Sequence, residues 1–329
     1  MRILTSNFTT HWQTEYLASP LRQRAWALQE RELSPRVVHY SKDAVLWECK
    51  TIRATSEVPW VHEKKELEEP AKERERSMHH NKLKREHWFS VVQDYSERTL
   101  TYESDKLPGL GGLARLFYES VSKERYIAGL WSTAIPIALI WRTRALLWSK
   151  HPPRRPLIYR APSWSWASID GSVSYDLITM VADNAETTLP SNTLTSSFRI
   201  LDTTVEAAGQ DSFGHLRSGR MGVLGYLLPA IYRGSDYHGD NEFAPGGWRD
   251  LLNNEGELVG VLAPDVMPDN DLKENIFCLP MVPTLNWEAD IGLALEEVKD
   301  DPIVYRRIGL VRIWPSAFRA TQPREIIII

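Results

Sequence analysis

The stretch Tyr159 to Gly171, YRAPSWSWASIDG, constrains this chain more than any other, because it sets two tryptophans and an arginine among turn-forming residues. Trp164 and Trp166 stand two apart, so an extended backbone points both indoles to the same side of the pleat. Such a ledge needs either a ring to stack on or an apolar surface that excludes water. The preferred reading is core: Arg160 caps an aromatic edge by a cation–π contact, and Trp131, Trp141 and Trp148, read as part of a neighbouring helical layer, supply the facing surface. The motif then locks a helical layer to a β-region. Ser163, Ser165 and Ser168 lack the flanking glycines of a nucleophile elbow and read as hydrogen-bonding groups of turns and strands.

At 329 residues the chain can hold one large domain or two ordinary ones. Its 43% hydrophobic and 25% charged residues are those of a globular protein, and a net charge of −4 gives no general attraction to nucleic acid or to anionic membranes. A protein partner, recognised by shape, is expected instead. Cys49 and Cys278 are far apart and carry no CxxC spacing, so neither a disulfide framework nor a zinc site is expected. His62, His79, His80 and His87 include no pair at i, i+4, which also argues against a metal. The first residues lack a signal-peptide core, and no apolar run is long enough to span a bilayer. A cytoplasmic protein without a cofactor is the expectation.

Four regions are expected. Residues 1–60 carry a helix from Pro20 to about Ser34, stopped by Pro35, then a hairpin of Val37–Tyr40 and Ala44–Cys49. Residues 61–87 mix both charge signs densely and read as a mobile linker. Residues 88–150 read as helical, through Trp88, Val91, Val92 and Tyr95, then Leu110 to Val121, then Tyr126 to Trp131 and Ile135 to Trp148. Gly109, Gly111 and Gly112 punctuate a helix start and lack the Lys-Ser/Thr of a phosphate loop. Residues 151–329 read as antiparallel β, with short strands at Val173–Asp176, Ile178–Ala182, Phe198–Val205, Met221–Leu228, Leu258–Leu262 and Ile276–Leu279. A last hairpin runs from Ile291 through the turn Lys299–Pro302 to Val304–Ile313. The terminal Ile326–Ile329 is either a docked edge strand or an artefact of the reading frame; left free, it would invite aggregation.

RAWALQERELSPRVVHYSKDAVLWEC resembles the closing part of the fungal heterokaryon-incompatibility (HET) domain, whose pattern is R-x-W-x-x-Q-E, a short gap, then a hairpin ending W-x-C. Arg24, Trp26, Gln29, Glu30, Arg36, Trp47 and Cys49 fall on it, followed by Ser56-Glu57. Y-x-A-G-L-W and R-A-P-S-W-S-W-A-S-x-D-G are similar to the segments C-terminal to that domain in family members, and the second takes in Arg160, Pro162, Ser163, Trp164, Ser165, Trp166, Asp170 and Gly171. The family's opening L-S-Y-x-W-G strand, aspartate-bearing strand and C-I-N-Q motif are not found ahead of Pro20. The resemblance implies an α+β fold: a truncated HET module of helix plus β-hairpin, then a helical layer packed on the antiparallel C-terminal β-region. It implies a non-catalytic signalling role in non-self recognition and programmed cell death. The alternative it carries is an NAD-consuming activity, since the HET domain looks distantly similar to TIR-type domains, some of which cleave NAD with a glutamate. Glu30 is the carboxylate to consider for that role; its structural reading is an ion pair with Arg24 or Arg36 where the helix meets the hairpin.

Overall fold

Ala25 and Leu28 lie one helical turn apart, and the helix they anchor, Ala25–Leu33, buries both. It stops at Ser34, ahead of Pro35, where the Ser34 hydroxyl donates back to the Glu30 carbonyl at 2.7 Å. The structure, a computed structural model, describes residues 12–49, 51–57, 62–63, 85–121, 124–144, 152–181, 197–233, 248–266, 272–284, 289–299, 301–314 and 322–329. The chain forms two units, Met1–Glu124 and Arg125–Ile329. Both helices and a large, mostly antiparallel sheet are present, so the fold is α+β.

In the first unit the expected hairpin forms from β1, Arg36–Tyr40, and β2, Val45–Cys49, paired from Tyr40↔Val45 to Arg36↔Cys49. Two further strands, β3 (Ile52–Thr55) and β4 (His62–Glu63), extend it to a four-stranded antiparallel sheet in chain order. Alternation buries His39, Leu46, Glu48, Arg53 and Thr55 on one face. Residues 12–18 are helical and pack Trp12 and Tyr16 with Ala44 and Leu46. The helices Arg85–Ser96 and Pro108–Val121 bury Trp88, Val92, Tyr95, Leu110, Leu113 and Phe117, with Trp88 and Phe117 edge-on at 5.5 Å. The run expected as a linker therefore has ordered ends, at β4 and at the start of the helix Arg85–Ser96; residues 64–84 lie outside the described residues.

Among the described residues the expected helical region does not continue past Val121. Tyr126–Ile127 and Leu130–Trp131 are instead β5 and β6 of a tight hairpin. Its turn residues, Ala128 and Gly129, take φ of 52° and 92°, the left-handed geometry that two-residue hairpins favour. Short 3-10 turns at Ser132–Ala134 and Ile137–Leu139 come next, and then β7, Arg142–Thr143, pairs with β8, Val173–Ser174. The apolar spacing there reported burial, and periodicity alone does not separate a buried helix from buried turns. Likewise Asp176–Met180 is a 3-10 turn where a strand from Ile178 was expected. Trp148 lies outside the described residues.

The remaining strands are β9 Arg199–Ala207, β10 Leu216–Gly225, β11 Leu228–Arg233, β12 Arg249–Leu252, β13 Leu258–Pro264, β14 Leu272–Pro283, β15 Asp290–Val298, β16 Asp301–Ile313 and β17 Arg324–Ile328. Their order is β13-β12-β11-β14-β15-β16-β17-β10-β9, and β13 also pairs antiparallel with β16. That extra ladder closes six strands, β11 to β16, into an antiparallel barrel. A barrel this small is filled by its own side chains: Leu228, Ala230, Tyr232, Leu251, Val259, Leu262, Ile276, Cys278, Ala294, Val311 and Ile313 form one buried cluster. The thirteen-residue β16 belongs to both parts. Its end pairs with β13, while Val304 and Tyr305 pair in parallel with Ile327 and Ile328 of β17. The terminal isoleucines are thus not the edge strand expected from sequence; they are inserted between β16 and β10. The edge on that side is β9.

Candidate functional site

The residues singled out in the first unit are dispersed in role. Gln29 accepts from the backbone N–H groups of Gly112 (2.7 Å) and Leu113 (3.3 Å), which ties its helix to the helix Pro108–Val121. The Trp26 indole donates to Asp105 at 3.2 Å. Arg24 is exposed, and its backbone forms a bridge with Thr99. Trp47 and Cys49 are half-buried, and Cys49 sits 3.5 Å from the Thr51 hydroxyl. Ser56 closes the strand pair, its hydroxyl accepting from the Val45 N–H at 3.1 Å. Glu30 and Arg36 are exposed, and among the described residues no ion pair joins Glu30 to Arg24 or Arg36. The expected pairing of Glu30 is therefore corrected: its side chain points away from the buried face that Ala25 and Leu28 occupy.

The carboxylate that gathers charge is Glu48, which β2 turns to the same face as Leu46. Arg31 meets it through Nε at 2.5 Å and Nη2 at 3.0 Å, a two-pronged pair, and Arg31 Nη1 donates to the Tyr16 hydroxyl at 2.7 Å. His39 Nε2 lies 2.9 Å from Glu48 Oε1 and Arg53 Nε 3.5 Å from Oε2. The guanidiniums of Arg31 and Arg53 stack over Tyr16 and Trp12 at 4.3 and 4.4 Å. Burial would raise the Glu48 carboxyl, but the bonds from His39 and Arg31 and the fields of Arg31 and Arg53 hold it well below the usual carboxylate range. For Arg31 burial works against the charge, and the bond to Glu48 together with the fields of Tyr16, Glu48 and Glu32 more than restores it. A carboxylate so engaged is a poor base. The signal for it was present: Glu48 is the one charge on the inner, apolar side of VLWEC, and a charge there requires partners.

In the second unit the tryptophan motif is buried. Trp164 and Trp166 are both 0% exposed, so neither ring offers a stacking surface. The polar atoms of the motif are spent on neighbouring backbone. Ser165 donates to the Ala128 carbonyl at 2.5 Å and Trp166 Nε1 to the Gly129 carbonyl at 3.0 Å, so the left-handed hairpin turn is the seat of the motif. A Cβ on Gly129 would stand 2.6 Å from Trp166 Nε1, which makes glycine necessary. Trp141 Nε1 donates to the Trp164 carbonyl at 3.0 Å. Arg160 donates to the Ala167 carbonyl and pairs with Asp170, each at 2.6 Å. The Ser163 N–H and hydroxyl both donate to the Ile329 carbonyl, and that hydroxyl accepts from the Arg307 N–H at 2.9 Å. Pro162 is buried, and Gly171, at φ 126°, packs against Pro153.

Behind this knot lies a second cluster that sequence reading missed. Arg307 is fully buried, pairs with both oxygens of Asp265 at 3.1 Å, and donates to the carbonyls of Leu139 (2.7 Å) and Trp141 (2.5 Å). Its guanidinium lies 3.4 Å from the centre of the Trp141 ring. Burial and the neighbouring Arg155 lower the Arg307 pKa against the pull of Asp265. The hint in sequence was Arg307 at even spacing from Val311 and Ile313, and a register irregularity between Gly309 and Arg307 then sets it opposite Leu295, on the other face from the barrel cluster. Among the described residues no group of three or more His, Cys, Asp or Glu could hold a metal, and no helix is long and apolar enough to cross a membrane. No family model, curated protein or solved structure matches the chain.

Proposed function

We propose that the chain is a non-catalytic signalling or recognition protein of the heterokaryon-incompatibility type, acting with a protein partner in the cytoplasm in non-self recognition and programmed cell death. The observation that supports this reading is how the residues of the resemblance are used. Trp26, Gln29, Arg160, Ser163, Ser165 and Trp166 each make hydrogen bonds within the fold. A substrate would have to displace those bonds, whereas a scaffold is built by them. The NAD-consuming alternative rests on Glu30, which is exposed on its helix. Incubation of the purified protein with NAD, read as nicotinamide release, separates the two. No release above buffer is expected; release that disappears in Glu30→Ala would overturn the proposal in favour of the enzyme.

A further inference from the structure

Between Pro153 and Arg160 the second unit presents a loop whose tip is aliphatic and bare. Leu157 is 100% exposed, Ile158 82% and Tyr159 49%. Isolated surface leucines are ordinary, but this tip is held out by anchors on both sides. Ahead of it, Arg154 and Asp170 exchange two backbone hydrogen bonds, 3.1 and 2.8 Å. The Arg155 side chain reaches inward to the Arg307 carbonyl at 2.5 Å. Behind it, the Arg160 guanidinium is buried on Ala167 and Asp170. Pro156 fixes one backbone angle between them. The tip therefore projects without having to be ordered first, which lowers the entropic cost of docking.

We propose that Leu157 and Ile158 insert into the outer apolar layer of a lipid surface, with Tyr159 at the headgroup level and Arg154 against lipid phosphate. The side-chain chemistry favours lipid over a protein pocket. The residues that project furthest are aliphatic, and leucine is under-represented among protein hot spots. The two most exposed side chains here carry no polar atom that could give a protein contact direction. Tyr159 comes directly after them, half-exposed, as in the aromatic belts at membrane interfaces. Burial of its base pushes that phenol up to about 12, so it stays uncharged. The Arg154 side chain is 63% exposed and lies 3.5 Å from Asp170 Oδ2, a pairing that contact with a lipid phosphate would exchange. Because the whole chain is net negative, −4, the aliphatic tip rather than overall charge carries the contact.

Flotation of the full chain with vesicles of phosphatidylcholine, with and without phosphatidylserine, tests this. The wild-type protein is expected to float with both, and Leu157→Ser/Ile158→Ser to lose at least about ten-fold in partitioning, at an unchanged melting temperature. Arg154→Gln is expected to weaken flotation with both compositions, because both carry the phosphate it would meet. As a second readout, a polarity-sensitive dye on Ile158→Cys in a Cys49→Ser background should shift to the blue when vesicles are added. Wild-type protein that stays in the aqueous phase with both lipids overturns the proposal and leaves the tip to a protein slot. Equal flotation of the double variant, or an unmoved dye, overturns it as well.

Discussion

Glu48 and Asp290 are both buried carboxyl groups, and their surroundings drive them in opposite directions. Glu48 has two arginines and a histidine around it and stays ionised. Its folded pKa is depressed, so the stability it contributes is present above the ordinary glutamate range and is lost as pH falls through the folded value. Glu48→Gln would leave Arg31 and Arg53 buried without their anion, and a loss of about 3–5 kcal/mol in urea unfolding is expected. Asp290, at the start of β15, is 2% exposed, and its Oδ2 has no hydrogen-bond partner among the described residues. Burial pushes that carboxyl up to about 7. Here the folded state holds the proton more tightly than the unfolded one, so stability is fully present below the ordinary aspartate value and drains away as pH rises to about 7. Asp290→Asn should flatten that slope and leave the variant more stable than wild type at pH above 7 by about 2–4 kcal/mol. Unfolding curves across the range check it; parallel slopes for the two proteins would refute it.

The tryptophan segment shows what an element can owe to a turn far from it in sequence. Ser165 and Trp166 bond to carbonyls that only the left-handed Ala128-Gly129 turn presents. Trp164 contributes its buried ring and the carbonyl that holds Trp141. Trp164→Ala is expected to cost about 3–5 kcal/mol and most of the soluble yield; a cooperative melt near the wild-type temperature would count against the knot as a structural centre. This element also marks how far the sequence could be read. The helix Ala25–Leu33, the hairpin β1–β2 and the last hairpin β15–β16 were legible, because period and turn chemistry agree there. Burial of Trp164 and Trp166 was legible from their size and spacing. The hairpin at Tyr126–Trp131 was not, since a short apolar run fits helix and strand alike. Nor were Glu48 and Arg307 as cluster centres, because their partners come from other strands and turns that only the fold brings near. The insertion of β17 was hidden for the same reason: four isoleucines state that a strand is buried, not between which neighbours.

On the scale of the second unit, the barrel and the outer strands are unequal partners. The barrel closes through β13 and β16, so each of its six strands has neighbours on both sides without help from β17. Strands β10 and β9 have no such closure; they join the barrel through β17, which pairs antiparallel with β10 and in parallel with β16. The chain end adds one more tie, since the Ile329 N–H donates to the Tyr305 carbonyl at 3.0 Å. Ile328 is 0% exposed in that seam. A carboxylate there has no partner to meet it, and Ile328→Asp should expel β17 from its slot. Opening is expected to be local, because regions of a protein unfold in cooperative units with their own free energies. Amide exchange should then speed up in β9, β10 and β17 while the amides of β11 to β15 keep their protection. Ser163, which donates to the Ile329 carbonyl, would report the loss as faster exchange of its own amide. If the barrel amides instead lost protection together with the outer strands, β17 would be part of the barrel's own stability, and closure through β13 and β16 would be too weak to hold those six strands alone.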